Sequence, residues 1–237
     1  EGMKIFETKD SIAAFSDRND GDLNFYNFNP EQIKTKWESL VEKLPIKVKM
    51  ANYVNQVHKS DIVIVNNDCS LQNSSVCADG LITNISQKAI GVFTADCCPV
   101  LISSKNSVSA THAGWKSTCQ SICIKTVQKH QEIFGAKPSE LTAFVGPCIG
   151  KCCFELGDEV YEKFINENKE WSKFFYRKEK WHLDLRGLNI FQLEYAGIPR
   201  NQIIDFNECT YCLQDKYYSY RRMKKHNGSM FSFIFLK

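Results

Sequence analysis

AIGVFTADCCPVLI, at residues 89–102, is the most apolar stretch of the chain. Its two apolar runs, residues 89–95 and 100–102, are short and continuous, as strands buried on both faces are. The segment between them holds an acidic residue, two cysteines and Pro99, and this composition breaks a strand. The sequence therefore predicts two buried strands, joined by a turn that presents polar side chains at the end of a sheet.

Further strands and helices are predicted on both sides of this stretch. The strands fall at residues 51–57, 62–65, 108–112, 141–145 and 231–236, and spacings of three and four place helices at 30–44, 117–134, 156–166 and 188–196. Several strands follow one another without a helix between them, which favours an α+β fold of layered mixed β-sheets and helices over a doubly wound parallel sheet. No linker interrupts the chain, so residues 1–237 are predicted to form a single domain, with Glu1-Gly2 interpreted as a cloning remnant ahead of Met3.

Composition excludes several classes of partner. The chain carries 30 Lys and Arg against 27 Asp and Glu, a net charge of +3, so neither nucleic acid nor a membrane surface is an expected partner. No apolar run approaches the roughly 18–20 residues of a membrane span, and no signal peptide is recognised. Eleven cysteines, an odd number that includes two adjacent pairs, indicate a reduced, cytoplasmic protein without structural disulfides. We expect a monomer or a homodimer.

Three candidate reactive residues, His58, Cys97 and His112, each follow an apolar run and lie beside a residue that breaks it. One thiolate and two imidazoles can bind zinc and leave a fourth position for water or substrate. The same residues can instead form a nucleophilic Cys–His pair. A histidine at a strand end is more often structural, and spacings of 39 and 15 residues match no local zinc motif, so the residues alone leave the choice open.

The other cysteines have weaker signals. If the chain is extended at Cys97 and Cys98, one side chain faces the site and the other the core, and physics alone does not say which. Cys209 and Cys212 form a CxxC, but no second CxxC exists to complete a four-thiolate site. Cys148, Cys152 and Cys153 are therefore expected to pack rather than to bind a metal.

Eight segments together resemble the laccase-domain family, labelled multicopper polyphenol oxidases and now grouped with bacterial purine nucleoside phosphorylases. They occur in family order: QVH (56–58), ADGLIT (78–83), TADCCPVLI (94–102), HAGW (112–115), GPCIGKCCFELG (146–157), LDLRGLN (183–189), CT (209–210) and SYRR (219–222). The resemblance implies that His58, Cys97 and His112 are the catalytic and metal-binding residues. It also implies that Cys97 faces the site and Cys98 the core.

The resemblance implies a substrate site as well. Arg18, Lys116 and Arg221 are the candidates for binding phosphate, and Asp79 and Asn24 for binding the ribose hydroxyls. The chain departs from the family at Lys59, which replaces a glycine, and at Lys116, which replaces an arginine and loses its bidentate geometry. Residues 227–230 replace the closing threonine-glycine-arginine segment, so one anion-binding arginine is missing there.

The function implied is phosphorolysis of purine nucleosides, that is adenosine, inosine, guanosine or methylthioadenosine, with adenosine deamination as a second activity and zinc as the metal. Three alternatives stay open. A copper polyphenol oxidase needs a further histidine-rich cluster, which five histidines supply poorly. A Cys–His amide hydrolase, for instance one that edits cell-wall precursors, uses the same three residues without metal. A zinc-binding module would have no catalytic activity.

Overall fold

The computed structural model describes residues 2–67, 71–72, 75–225 and 228–237. The strands are β1 (Lys4–Glu7), β2 (Ser11–Phe15), β3 (Ile62–Ile64), β4 (Gly80–Thr83), β5 (Ile90–Thr94), β6 (Cys98–Ser103), β7 (Val108–Ala113), β8 (Thr142–Val145), β9 (Glu155–Leu156), β10 (Phe175–Arg177), β11 (Trp181–Leu183), β12 (Ile203–Asp205) and β13 (Met230–Leu236). The helices are α1 (Pro30–Val41), α2 (Trp115–Cys119), α3 (Ile122–Phe134), α4 (Asp158–Glu167), α5 (Leu185–Tyr195) and α6 (Tyr220–Met223).

The strands form three sheets. Their orders are β1-β2-β13-β5, β12-β8-β6-β7-β4-β3 and β10-β11-β9. In the six-stranded sheet the β12–β8 and β3–β4 pairs are parallel and the others antiparallel. Mixed sheets and helices in one domain confirm the predicted α+β class.

Alternating side chains divide the core into layers. On β13, Phe231, Phe233 and Phe235 pack under α1, whereas Ile234 and Leu236 point to the six-stranded sheet. The opposite face of that sheet, including Val100 and Ile102 on β6, packs against α3, α4 and α5. The order of layers is therefore α1, the four-stranded sheet, the six-stranded sheet and the group of helices, because each sheet residue points opposite to its neighbours in sequence.

The two strands predicted at residues 89–102 are confirmed as β5 and β6, with a turn between them. The turn is shorter than predicted, because β6 begins at Cys98 and includes Pro99. The helix predicted at 30–44 begins at Pro30, where Asn29 and Gln32 form a reciprocal cap, but it ends three residues early, at Val41. The helix predicted at 117–134 is divided into α2 and α3 by Ser121, whose φ of 60° is left-handed.

The strand predicted at residues 51–57 is wrong. This segment makes only isolated bridges at Asn52 and Asn55. The Gln56 side chain takes over the pairing instead: its amide accepts from the Phe93 N–H at 2.7 Å and donates to the Phe93 carbonyl at 2.8 Å. A side chain thus replaces backbone pairing, and the segment is free to turn toward His58.

No helix in the described part of the chain is both long enough and apolar enough to cross a membrane.

Candidate active site

A cavity of about 670 Å³ opens where β5 ends and β6 begins. Its volume lies in the range of roughly 300–1,000 Å³ that is typical of small-molecule sites. Aromatic rings line much of it, namely those of Tyr26, Phe93, Trp115, Phe154 and Tyr220. Polar groups converge on it as well, among them Asn24, Thr94, Asp96 and Arg221. The cavity can therefore enclose a flat, partly polar molecule.

His58, Cys97 and His112 come together on the wall of this cavity. The His58 Nε2 atom lies 3.9 Å from the Cys97 Sγ atom, and the two imidazole rings are 4.8 Å apart at 82°. One potential ligand atom from each residue lies within 4.8 Å of the other two. The structure thus brings together three residues that are separated by 39 and 15 positions in sequence, and the group they form could hold a metal.

The turn between β5 and β6 explains why Cys97 rather than Cys98 reaches the cavity. Cys98 begins β6 on the same face as Val100 and Ile102, and it is fully buried against the helices. Cys97 precedes the strand, after Asp96, whose φ of 101° turns the backbone sharply. The Cys97 side chain consequently lines the cavity.

Asp79 organises the two histidines. It is fully buried, and its carboxylate accepts hydrogen bonds from the backbone N–H groups of Val57, His58 and Lys59 at 3.2, 2.9 and 2.7 Å. It also bonds to the Nδ1 atom of His112 at 2.8 Å. Asp79 does not line the cavity, and its carboxylate is engaged by these four groups. Its role as a ribose ligand stays a prediction that this position does not favour.

The electrostatics of the metal-free group favour a charged pair. Burial opposes ionisation of Cys97, but the His112 imidazole, with help from His58, outweighs it and lowers the pKa of the thiol to about 6. Burial likewise opposes charge on His112, yet the Cys97 thiolate and the Asp79 carboxylate raise the pKa of the imidazole to about 9. At neutral pH the sulfur is therefore a thiolate, the form that binds metals and attacks electrophiles.

Asp96 connects this site to the C-terminal segment. Its carboxylate accepts from the Thr210 hydroxyl at 2.6 Å, the Ser219 hydroxyl at 3.0 Å and the Arg221 backbone N–H at 2.7 Å. Its backbone carbonyl accepts from the Ile149 N–H at 2.8 Å. The residue before Cys97 thus fixes the position of Arg221 at the cavity.

The candidate phosphate-binding residues separate in space. Arg221 lines the cavity, with its guanidinium 5.4 Å from the Phe154 ring centre and bonded to the Glu155 carbonyl. Arg18 does not line it, because its guanidinium donates to the Gln214 carbonyl and lies over the Tyr218 ring. Lys116 is exposed, with its amine over the Trp115 ring. Among the described lysines and arginines, Arg221 alone lines the cavity, so the expected roles of Arg18 and Lys116 do not fit their positions.

Two polar side chains face the cavity beside the reactive group. Asn24, a predicted ribose ligand, lines it. Thr94, which the sequence analysis did not select, lines it too, and its hydroxyl is buried without a hydrogen-bond partner among the described residues. Its position in the TADC segment, two residues before Asp96, could have identified Thr94 as a candidate site residue. The aromatic lining was not predicted, although Trp115, Phe154 and Tyr220 lie in the family motifs at residues 112–115, 146–157 and 219–222.

The cysteines outside this site fall into two groups. Cys148 is buried in the core, as predicted. Cys153 also packs against the core, but it lies together with Cys152, Cys209 and Cys212 in a second cluster whose sulfur atoms are within 4.8 Å of one another. This cluster was not expected from the sequence. The ten cysteines in the described segments form no disulfide, and Cys69 lies outside those segments.

The fold and the cavity define a class: α+β domains that carry a metal-competent His-Cys-His pocket at the edge of a mixed sheet. The chain belongs to the family described as multi-copper polyphenol oxidoreductase laccase, whose model matches residues 13–237. The resemblance drawn from the motifs is confirmed.

Several known proteins are similar to this chain. A purine nucleoside phosphorylase of Clostridium acetobutylicum is 34% identical over 231 residues, which cover 96% of this chain and 93% of the relative. An adenosine deaminase, RL5, from an unknown prokaryotic organism is 35% identical over 164 residues, 67% of this chain and 62% of the deaminase. The crystal structure of the hypothetical protein YfiH from Bacillus licheniformis has a TM-score of 0.88 at 28% identity, covering 96% of this chain and 93% of that one.

Proposed function

We propose that this protein is a purine nucleoside phosphorylase with a zinc-binding His-Cys-His site. The observation that carries the proposal is the cavity itself, in which aromatic rings, one arginine and the group formed by His58, Cys97 and His112 face the same space. The phosphorylase from Clostridium acetobutylicum, similar over nearly the whole chain, supports this choice of reaction.

The parts of the cavity match the parts of the substrates. A purine ring can stack on the aromatic walls formed by Tyr26, Phe93 and Phe154. Asn24 and the unpaired Thr94 hydroxyl can bind ribose hydroxyls. Arg221 can bind phosphate, since a guanidinium matches the geometry of a phosphate oxygen pair. In the reaction, a phosphate oxygen forms a bond to C1′ while the C1′–N9 bond breaks and the purine leaves with a proton.

The donor set fits a zinc ion. For tetrahedral zinc, sulfur and nitrogen ligands lie about 3.6 Å apart, given bond lengths of roughly 2.3 and 2.0–2.1 Å. The Sγ–Nε2 distance of 3.9 Å between Cys97 and His58 is close to this value. The Asp79 bond to Nδ1 of His112 leaves Nε2 as the free nitrogen, an arrangement typical of zinc-binding histidines. A zinc ion held by these three residues would supply Lewis-acid chemistry beside the cavity.

Adenosine deamination is a second candidate activity of the same cavity. Three protein ligands leave one position of a tetrahedral metal open, as in catalytic zinc sites. The deaminase RL5 is similar over 67% of this chain. The proposed deamination would replace the amino group at C6 of adenosine by an oxygen from water.

The described histidines do not form the second cluster that a copper oxidase needs. His130 is buried between the Ser107 and Ser109 hydroxyls, and His182 lies in the three-stranded sheet. In the described segments only His58 and His112 face the cavity, so the second histidine cluster of a multicopper site is not formed there.

Phosphate dependence tests the proposed reaction. Adenosine or inosine should release base only when phosphate is present, and the sugar should appear as ribose 1-phosphate. Release that is independent of phosphate, as the sole activity, would favour the Cys–His hydrolase and defeat the proposal. Inosine formed from adenosine without phosphate would identify the deaminase activity separately.

Variants at the cavity assign the roles. Arg221→Gln should raise the KM for phosphate about tenfold or more with a smaller effect on kcat, since a contact to the anion acts in ground and transition states alike. Lys225→Gln removes one exposed charge nearby and serves as the matched control. Cys97→Ser should instead lower kcat, and Cys98→Ala should not lower the activity of the folded protein.

A further inference from the structure

The second cluster of cysteines lies between two loops that are distant in sequence. Cys152 and Cys153 follow Gly150 in the loop from β8 to β9, and Cys209 and Cys212 lie in the loop from β12 to α6. The two loops are joined by backbone bonds from Thr210 N to the Cys148 carbonyl at 3.1 Å and from Cys148 N to the Glu208 carbonyl at 3.4 Å. The fold thus supplies the second cysteine pair that the CxxC lacks in sequence.

The spacing of the sulfur atoms is that of a tetrahedral metal site. The Sγ atoms of Cys152 and Cys212 are 3.7 Å apart, those of Cys152 and Cys153 3.6 Å, and those of Cys153 and Cys212 3.4 Å. Four sulfurs at about 2.3 Å from a central zinc are about 3.8 Å from one another. A disulfide needs about 2.05 Å. These sulfur atoms are therefore too far apart to be bonded and close enough to share one ion.

The loop backbone also contacts the cluster directly. The Cys209 sulfur accepts the Gly150 N–H at 3.1 Å. A hydrogen bond to a charged group favours its charged form, so this N–H would stabilise a metal-bound thiolate.

Gly150 and Arg222 shape the cluster. A Cβ atom on Gly150 would lie 3.2 Å from both the Cys152 and the Cys209 sulfur atoms, so any larger residue would push the sulfurs apart by a few tenths of an ångström. Arg222 donates to the carbonyls of Thr210 and Tyr211 at 2.9 and 2.8 Å, which fixes the CxxC turn. Its positive charge also lies beside a group that would carry net negative charge with a divalent ion bound.

We propose that Cys152, Cys153, Cys209 and Cys212 bind one zinc ion in a closed, structural site that is separate from the His-Cys-His group. Four thiolate ligands leave no open position, which is the difference between structural and catalytic zinc. Soft sulfur donors also select zinc over magnesium or calcium.

An ion at this site would connect two loops that contribute to the cavity wall. The loop that holds Cys152 and Cys153 also carries Ile149 and Phe154 of the cavity wall, and the CxxC is followed by Arg221. Asp96 already bonds to both segments, through Ile149 N and the Thr210 hydroxyl. The zinc would therefore clamp the two loops together and hold the cavity wall in place.

Metal analysis of the full chain, purified under reducing conditions, tests the proposal. The wild-type protein should contain about two zinc ions per chain, one for each site. Cys209→Ser/Cys212→Ser should lose about one of them and lower the melting temperature by about 5–10 °C. Cys119→Ser, which removes a partly exposed thiol elsewhere, should lose none. Equal zinc content in the double variant and the wild type would overturn the proposal.

X-ray absorption at the zinc edge gives a second test that needs no change at the four cysteines. In Cys97→Ser protein the remaining zinc should show only sulfur neighbours, at about 2.3 Å. Nitrogen or oxygen neighbours in that variant, or no zinc at all, would contradict the site. Mass spectrometry showing disulfides between these cysteines in freshly reduced protein would also contradict it.

Discussion

The two candidate metal-binding groups differ in ligand number, ligand type and access. His58, Cys97 and His112 supply three ligand atoms at the wall of a cavity, whereas Cys152, Cys153, Cys209 and Cys212 supply four sulfurs from two loops. The first group is fixed by a buried carboxylate, Asp79, and the second by backbone N–H groups. The comparison teaches that three protein ligands at a cavity leave a tetrahedral position open for a reacting molecule, whereas four sulfur ligands fill the tetrahedron.

The largest effect is expected from replacing Asp79, the buried carboxylate that fixes the His-Cys-His group. Asp79→Asn should lower the metal affinity of the His-Cys-His group and its activity by about 10–100-fold, because His112 loses the partner that fixes its ring. Zinc analysis and steady-state kinetics measure this. Zinc at the four-cysteine cluster should remain.

Asp61→Asn is the matched control, since Asp61 has an exposed side chain and its backbone carbonyl accepts the Asp79 N–H at 3.0 Å. Equal losses in both variants would show that Asp79 acts only through general stability. Loss of zinc from both clusters would show that the two sites are not independent.

Gly114 and Gly150 each lie against one of the two groups, so changing them tests the two sites separately. A Cβ on Gly114 would lie 3.0 Å from the Cys97 sulfur, just as one on Gly150 would crowd Cys152 and Cys209. Gly114 has a φ of −74°, so alanine fits its backbone and only the contact matters. Each glycine-to-alanine change should weaken zinc binding about tenfold at its own site, an overpacking cost of about 1–2 kcal/mol.

Each glycine variant serves as the control for the other. Zinc titration with a competing chelator should show Gly114→Ala changing the His-Cys-His site alone and Gly150→Ala the four-cysteine site alone. If either variant weakened both sites equally, the division into two separate clusters would fail.

The smallest expected effect concerns a histidine that belongs to neither cluster. Burial lowers the pKa of His130 to about 3, whereas attraction raises that of buried His112. The unfolded chain binds a proton at His130 below about pH 6.5 and the folded chain does not, so its contribution to stability is present above that pH and lost as pH falls toward 3.

Urea unfolding at pH 6 and pH 5 measures this difference. His130→Gln should remove about 1 kcal/mol of the decrease in unfolding free energy between those values. Gln128→Ala, an exposed change on the same helix, should keep the wild-type pH dependence. An unchanged slope in His130→Gln would show that His130 is protonated in the folded state or is not buried.

Local patterns predicted much of the fold. Continuous apolar runs were sufficient to predict β5, β6 and β13, because a strand buried on both faces needs apolar residues at successive positions. The spacing of Ile33, Trp37 and Leu40 was sufficient for α1. The same patterns failed at residues 51–57, where the Gln56 side chain replaces strand pairing, and at Ser121, where one left-handed residue divides a helix.

The sequence by itself identified the family motifs and the α+β class, and it made His58, Cys97 and His112 candidates because each lies beside a break in an apolar run. The choice of Cys97 over Cys98 came from the family resemblance. Only the tertiary structure showed that Asp79 bonds to His112, that Arg221 alone among the predicted cations reaches the cavity, and that the cysteine pairs of two distant loops meet. The physical reason is that these relations depend on distance through space. The sequence shows which residues have a carboxylate, a guanidinium or a thiol. Which groups these side chains contact depends on how segments far apart along the chain pack together.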